Sequence, residues 1–266
     1  MRVAVVGHVE WVEFARVEHL PEPGEIVHAG EVWEEAAGGG AVAAVQLAKL
    51  AGAATLVTAL GEDELGKRSR EQLEGQSVTV KAGLRGATRR AFTHIDETGE
   101  RTITVLGDKL RPREKDSDLD WRELDAVCFV SGDAELVRAA RRARVLVAIA
   151  RELPTLRDAA VELDALVGSG KDESERYHPG DLDPSPKLIV TTAGALGGWA
   201  QPGGPFRAED PPGPIEDSYG CGDSFAAGLT FALARGDAPA DALVFAARCG
   251  AAVLSGRGPY TSQLTA

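Results

Sequence analysis

The stretch Ile215-Glu-Asp-Ser-Tyr-Gly-Cys-Gly-Asp-Ser-Phe-Ala-Ala-Gly-Leu229 brings two glycines and two aspartates to the start of an apolar, alanine-rich run. Gly220 and Gly222 have no Cβ, so the backbone there is free to take φ > 0 and to approach a bound group closely. From Ser224 onward the apolar residues recur at helical spacing, which predicts a helix with Asp223 at or near its N-terminus. A helix start presents unpaired N–H groups and the positive end of the helix dipole, a setting that stabilises an anion such as a phosphoryl group in transfer. A carboxylate there fits two roles. Asp223 is either an ordinary N-cap or a general base that takes the proton of a hydroxyl attacking phosphorus held over the turn Gly220-Cys221-Gly222. The pattern of this stretch alone favours the cap.

Working outward, Val3-Ala-Val-Val6 ends at Gly7 and is a continuous apolar run, the form of a parallel strand covered on both faces. Residues 8–35 mix charge with Trp11, Phe14 and Trp33 around a Pro-Glu-Pro-Gly turn and read as extended excursions. Ala36 to Ala51 changes to three glycines followed by Ala, Val and Leu at helical spacing, and Ala54 to Ala59 is the next buried strand. Alternation in Arg90–Ile95 and Arg101–Leu106, around Asp96-Glu-Thr-Gly-Glu100, predicts a hairpin. Combined with the extended part of residues 8–35, it gives a small antiparallel sheet. Lid strands drawn from about 8–35 and 84–107 thus cover one α/β domain spanning 1–266. Apolar runs at 126–130, 145–149, 165–167 and 188–191 are the later core strands, whereas Arg111–Asp120 and Gln201–Pro214 are the least helical stretches.

A chain of 266 residues is long enough to bury a large core. Its 29 basic residues against 41 acidic ones, a formal charge of −12, argue against binding nucleic acid or an anionic membrane surface. No apolar run reaches membrane-spanning length, and Met1–Gly7 is too short for a signal-peptide core. Cys128, Cys221 and Cys249 are odd in number and widely spaced, as expected of reduced thiols in a cytoplasmic protein.

Two nucleotide motifs fail. Gly61-Glu-Asp-Glu-Leu-Gly-Lys67 nearly matches a phosphate-binding loop, but Arg68 stands where Ser or Thr is required and three acids occupy the loop. The first strand lacks the second and third glycines of a dinucleotide fingerprint, which disfavours a nucleotide-dependent oxidoreductase. Thr192-Ala-Gly-Ala-Leu-Gly-Gly198 follows an apolar strand; it reads either as a hairpin turn or as backbone facing a ligand at the sheet edge. Asp172 and Glu173 after another strand end are candidates to hold Mg²⁺ through water, or simply a charged helix start. The five histidines have no metal-ligand spacing. Arg89 and Arg90 fall in the lid, where an arginine reaches either an anionic or polyhydroxyl substrate or solvent.

Taken together the motifs resemble the ribokinase-like (PfkB) family of carbohydrate and nucleoside kinases. Asp217-Ser-Tyr-Gly-Cys-Gly-Asp223 is similar to its C-terminal signature Asp-Thr-x-Gly-Ala-Gly-Asp, with Ser for Thr and Cys for Ala. Ala37 to Ala44, with Gly38 and Gly39, resembles the family's Gly-Gly-x-Gly-Ala-Asn segment, and Gly61–Gly66 its Gly-x-Asp-x-x-Gly. Thr192, Gly194 and Gly197 match its nucleotide-contacting Thr-x-Gly-x-x-Gly, and Ser169-Gly-Lys-Asp172 resembles a degraded Asn-x-x-Glu magnesium motif. The resemblance covers nearly the whole chain. It implies a Rossmann-like three-layer α/β/α sandwich with a β-sheet lid, ATP and Mg²⁺ as cofactors with a monovalent cation left open, and a homodimer through the lid. It also implies Asp223 as base, Gly220, Cys221 and Gly222 as the anion hole, and Asp217 and Ser218 beside the nucleotide.

Departures gather on the acceptor side. Where relatives carry Asn-x-Asp after the first strand this chain has Glu10-Trp11-Val12, and where they carry a second substrate Asn it has Val42. Valine forfeits a hydrogen bond worth about 0.5–1.5 kcal/mol. The expected acceptor is therefore a less usual sugar, sugar derivative or nucleoside, bound by some combination of Glu10, Trp11, Glu13, Gly38, Gly39 and Arg90. The competing expectation is a ligand-binding or regulatory protein on the same fold, which kept Asp223 and lost productive acceptor binding.

Overall fold

Every residue of Val3–Val6 (β1) is buried, as its unbroken apolar run requires, and the strand lies inside a nine-stranded sheet. The computed structural model describes residues 1–265. After β1 come Glu10–Arg16 (β2), Glu31–Ala37 (β3), the helix Gly39–Ala51 (α1) and Ala54–Leu60 (β4). Glu64–Glu74 (α2) and Val78–Leu84 (β5) precede the hairpin of Arg90–Ile95 (β6) and Arg101–Leu106 (β7). The second half alternates Ala126–Phe129 (β8), Ala134–Ala140 (α3), Val145–Ile149 (β9), Leu153–Ala159 (α4), Ala165–Ser169 (β10) and Ile189–Thr192 (β11). Gly198–Gln201 (β12), Gly204–Phe206 (β13) and the helices Cys221–Arg235 (α5) and Pro239–Val253 (α6) complete it.

The main sheet runs β13-β12-β11-β10-β9-β8-β1-β4-β5, parallel from β11 to β5, with β12 and β13 antiparallel at one edge. Strand side chains alternate between faces, so Val3 and Val5 enter one core with α1, α5 and α6, while Ala4 and Val6 enter the other with α3 and α4. Three layers result, as expected. From β1 the chain goes to β4 on one side and later to β8 on the other. Such a reversal opens a crevice beyond the C-terminal ends of the two diverging strands. Gly7-His8 and Val130-Ser131 are the residues that leave them.

The lid is a second sheet of order β3-β2-β6-β7. The hairpin limits read from alternation are those of β6 and β7. One expectation changes, because β2 pairs with β6 in parallel and the lid is mixed rather than antiparallel. Between those strands the chain passes through β3, α1, β4, α2 and β5, and a crossover of that length lets it return in the same direction. The stretch compared with a phosphate loop is the start of α2: Asp63 accepts the Gly66 N–H at 2.9 Å and the Thr88 N–H at 2.7 Å. Gln201–Pro214 contains the end of β12 and the short edge strand β13, where Pro205 is tolerated.

Candidate active site

Helices α1 and α5 both begin at the crevice, and glycines let them meet there. A Cβ on Gly40 would lie 2.7 Å from Gly7 Cα, so only glycine lets α1 start against the end of β1. A Cβ on Gly39 would lie 2.6 Å from Asp223 Oδ1 and 2.9 Å from Val130 Cγ1. One on Gly220 would lie 2.9 Å from Val42 Cγ1. Gly39, Val42, Gly220 and Asp223, far apart in sequence, are therefore direct neighbours. Gly220 is the N-cap of α5 with φ 85°, the left-handed geometry that favours glycine. No side chain caps this helix, so the amides of its first turn remain for a ligand. Asp223 is the third helical residue and does not cap, which overturns the reading favoured by local pattern.

The Asp223 carboxyl is part-buried, and burial pushes its pKa up to about 6 against the opposing pull of Arg101; Glu175 pushes it further in the same direction as burial. Asp217, at the other end of the signature, is fully buried. Its two oxygens accept the N–H groups of Tyr219 at 2.8 Å and Gly258 at 3.0 Å. Burial raises its pKa to about 6 in spite of those bonds. Ser218 donates its hydroxyl to Glu100 Oε1 at 3.0 Å, and its N–H to the Gly99 carbonyl at 2.9 Å. Arg101 donates to the Ser218 carbonyl at 3.1 Å. The tip of the lid hairpin is thereby stitched to the loop that precedes α5. The Tyr219 hydroxyl accepts the Gly38 N–H at 3.1 Å, and its ring meets Phe14 edge-on, 5.1 Å between centroids.

On the acceptor side Glu10 is buried and paired with Arg89 at 2.8 Å; its oxygen is 3.5 Å from His8 Nε2. Burial raises its pKa, with Arg89 and Lys109 opposing. A Cβ on Gly38 would lie 3.2 Å from Glu10 N and 3.3 Å from His8 Cδ2, so Glu10 is next to the glycines that adjoin Asp223. Val12 and Val42 are both fully buried. Strand alternation puts Glu10, Val12 and Phe14 on one face of β2 and Trp11 and Glu13 on the other. Trp11 donates to Glu34 at 2.9 Å under the Arg68 guanidinium, and Glu13 pairs with Arg90. The expected grouping of Glu10, Trp11, Glu13 and Arg90 around one acceptor is therefore split by the lid. Arg89 replaces Arg90 on the side of Glu10, a one-residue difference that alternation along β6 signals.

Thr192-Ala-Gly-Ala-Leu-Gly-Gly198 turns between β11 and β12 at the C-terminal edge of the parallel strands, so it is a hairpin turn and a sheet-edge loop at once. Gly194 and Gly197 have φ of 61° and 84°, and a Cβ on Gly197 would lie 2.1 Å from the Phe206 carbonyl. The Thr192 hydroxyl donates to the Gly168 carbonyl at 3.2 Å. Asp172 caps Ser174 and pairs with Arg151 at 2.7 Å. Glu173 is exposed and pairs with Arg176 at 2.9 Å, whereas Glu175, like Glu10, is an acid whose charge bears on Asp223. Glu175 accepts the Ser169 N–H at 3.0 Å and also pairs with Arg151. Asp172-Glu-Ser-Glu175 keeps the Asn-x-x-Glu spacing with Asp for Asn, three residues after the register first compared. Among the described residues no three His, Cys, Asp or Glu side chains gather as a metal cage. A hard cation that keeps its waters and binds one or two carboxylates with phosphates is the mode that fits. No helix among the described residues is long and apolar enough to cross a membrane.

The model of the pfkB family of carbohydrate kinases matches residues 1–153 and 159–266. The chain belongs to that family. It is 29% identical over 297 residues to an ATP-dependent ribose-1-phosphate kinase of Halopiger xanaduensis, covering 100% of this chain and 96% of the relative. Its fold is similar to that of a putative ribokinase from Agrobacterium tumefaciens, with a TM-score of 0.82, 21% identity, and 99% and 94% of the two chains covered. For the ribokinase of Thermotoga maritima the TM-score is 0.76 at 20% identity, with 100% and 96% covered. For an adenosine kinase from Sinorhizobium meliloti it is 0.77 at 18%, with 97% and 95% covered. The protein is thus a kinase of the pfkB carbohydrate kinase family.

Proposed function

We propose that the protein transfers the γ-phosphoryl group of ATP to a hydroxyl of a small sugar-like acceptor lying between Gly38-Gly39, Glu10 and Asp223. The observation that carries this reading is the direct apposition of Asp223 and Gly39 at an uncapped helix start. Asp223 accepts the acceptor's proton as its oxygen attacks phosphorus, and the amides of Gly220, Cys221 and Gly222 receive the charge of the phosphoryl oxygens. Asp217 and the Ser218–hairpin bonds hold that turn in place. Thr192, Gly194 and Gly197 line the nucleotide side, and ATP as donor is supported by the curated relative, which is named as ATP-dependent. Glu175 is the carboxylate that would hold Mg²⁺ through water, and the ion, bound with the nucleotide, would neutralise phosphate charge. The exposed Ile103, Val105 and Leu106 on edge strand β7 support a dimer through the lid.

An ADP-release assay with ATP, Mg²⁺ and a panel of sugars, sugar derivatives and nucleosides tests the proposal. Turnover with one acceptor, reduced about 10²- to 10⁴-fold in Asp223→Asn, is the expected result. Nucleotide binding without transfer to any acceptor would favour the regulatory reading, and near-normal turnover in Asp223→Asn would remove Asp223 as the base.

A further inference from the structure

Tyr219 is buried, only 5% exposed, and its hydroxyl is used on one side alone. A phenol hydroxyl has one proton to donate and room to accept. The oxygen accepts the Gly38 N–H at 3.1 Å, but among the described residues the O–H proton has no acceptor. A buried tyrosine ordinarily places that proton on a partner, and leaving it unmade is costly. The other buried tyrosine shows the ordinary arrangement, for Tyr260 donates its hydroxyl to the Ala36 carbonyl at 2.6 Å.

The bond to Gly38 fixes where this unused donor lies. A Cβ on Gly38 would lie 3.2 Å from Glu10 N, and one on the next residue, Gly39, would lie 2.6 Å from Asp223 Oδ1. The hydroxyl therefore stands between the acid of the acceptor end and the base of the transfer site. Burial, with the charges of Glu10 and Asp223, holds its pKa well above the ordinary 10, so it stays a neutral donor wherever Asp223 is ionised. Its ring is held edge-on by Phe14, 5.1 Å between centroids, and Phe14 shares the lid face of Glu10 and Val12. Next in the chain, Gly220 is packed against Val42. Val12 and Val42 are fully buried and have no side-chain hydrogen bond to offer.

We infer that Tyr219 binds the acceptor, its hydroxyl donating to the oxygen of an acceptor hydroxyl that does not react. The reacting oxygen faces Asp223, beside Gly39. Tyr219 reaches Gly38, one residue nearer Glu10, so it meets a neighbouring oxygen of the same molecule. It gives up no proton, because the proton of the reacting hydroxyl goes to Asp223. This inference rests on the kinase reading and adds a specificity-determining residue to that site. Tyr219 supplies a hydrogen bond where Val12 and Val42 supply none. An acceptor that lacks the matching hydroxyl leaves a buried donor unpaired, and a site built in this way rejects it.

The test is ADP release with ATP, Mg²⁺, the acceptor of the panel that turns over best, and its monodeoxy analogues. Besides the analogue that lacks the reacting hydroxyl, one other should lose about 10-fold or more in kcat/KM with the wild type. Tyr219→Phe keeps the ring. It should raise KM for the parent acceptor about 10-fold, change kcat much less, leave ATP binding by calorimetry unchanged, and use the parent and that second analogue equally well. A Tyr219→Phe protein that still tells the two apart, or that loses the same factor on every acceptor, overturns the inference, since a hydroxyl that only holds Gly38 acts alike on all. Should phenylalanine at 219 prevent folding, tyrosine fluorinated beside its hydroxyl decides at that position. It is a stronger donor and a weaker acceptor of nearly the same shape, so KM should fall, and an unchanged or raised KM overturns the contact. A wild type that neither binds nucleotide nor releases ADP with any acceptor defeats the kinase reading and this inference with it.

Discussion

Burial holds the Asp223 carboxyl near a pKa of about 6, above its ordinary 3.8, although a base must be ionised to work. The rate should therefore rise with pH along a limb centred near 6 in kcat/KM, and that limb should be missing from the residual turnover of Asp223→Asn. The same shift fixes a stability effect of opposite sense. A carboxyl whose folded pKa is raised binds its proton more tightly when folded, so the stability it contributes is complete below about 3.8 and is lost as pH rises through about 6. Asparagine at 223 has no charge to bury. Asp223→Asn should gain about 1–3 kcal/mol at pH 8 and almost nothing at pH 4, as read from urea unfolding at both values. A variant no more stable than wild type at pH 8 would count against a buried charge there. At this scale the sequence showed which residue types the chemistry needs, through Gly220-Cys-Gly-Asp223, but not which way neighbours face. Arg89 and Arg90 are adjacent, yet one meets Glu10 and the other Glu13, because one step along an extended chain inverts the side.

The N-terminal ends of α1 and α5 can be perturbed separately from the chemistry they support. Gly39 has no left-handed φ, so alanine suits its backbone; what forbids the methyl is Asp223 Oδ1 at 2.6 Å and Val130 Cγ1 at 2.9 Å. Gly39→Ala should displace the base and cut kcat about 10- to 100-fold with the fold retained. Gly38→Ala differs, because φ at Gly38 is 88°, and it should lower stability by about 1–2 kcal/mol as well. Turnover and thermal unfolding of both variants separate these effects, and a fully active Gly39→Ala protein would show that Asp223 is not held against α1. Elements with a single strong pattern were legible in advance: β1 as an unbroken apolar run, the β6–β7 hairpin by alternation, and α1 and α5 by helical spacing. Helix α2 and the strands β5, β12 and β13 lack such a signal. Helix α2 buries only Gly66, Ser69 and Leu73, β5 lies at the sheet edge with half-exposed residues, and β12 and β13 are three or four residues long with glycine and proline among them. Their positions are decided by partners remote in sequence.

Across the whole molecule the carboxyl groups whose pKa is shifted fall into two populations with opposite pH behaviour. Along the seam between lid and body, burial raises the pKa of Glu10, of Glu35 to about 7, and of Asp217 and Asp223 to about 6. Elsewhere hydrogen bonds and cations lower those of Glu34, Asp96, Asp125 and Asp172, and of Asp63 and Asp164 against the resistance of burial. The lowered group contributes stability that is present above the ordinary carboxylate range and lost as pH falls below it. The raised group contributes stability that is lost as pH climbs from about 4 through 7. Stability should therefore peak on the acid side of neutrality, between about pH 4.5 and 6, while activity still rises with pH as Asp223 ionises. Glu35 isolates the upper limb without touching the transfer site: it lies on β3, accepts the Trp33 indole N–H at 3.1 Å, and faces Gly258 and Arg257 of the body. Glutamine keeps that acceptor and removes the charge. Glu35→Gln should thus raise the Tm at pH 8, leave it unchanged at pH 4, and flatten the decline between 6 and 8 with little effect on kcat, as scanning calorimetry across pH 4–8 and ADP release would show. If the wild type is instead most stable above pH 7, or Glu35→Gln loses stability at pH 8, the seam carboxylates are not held against ionisation by burial.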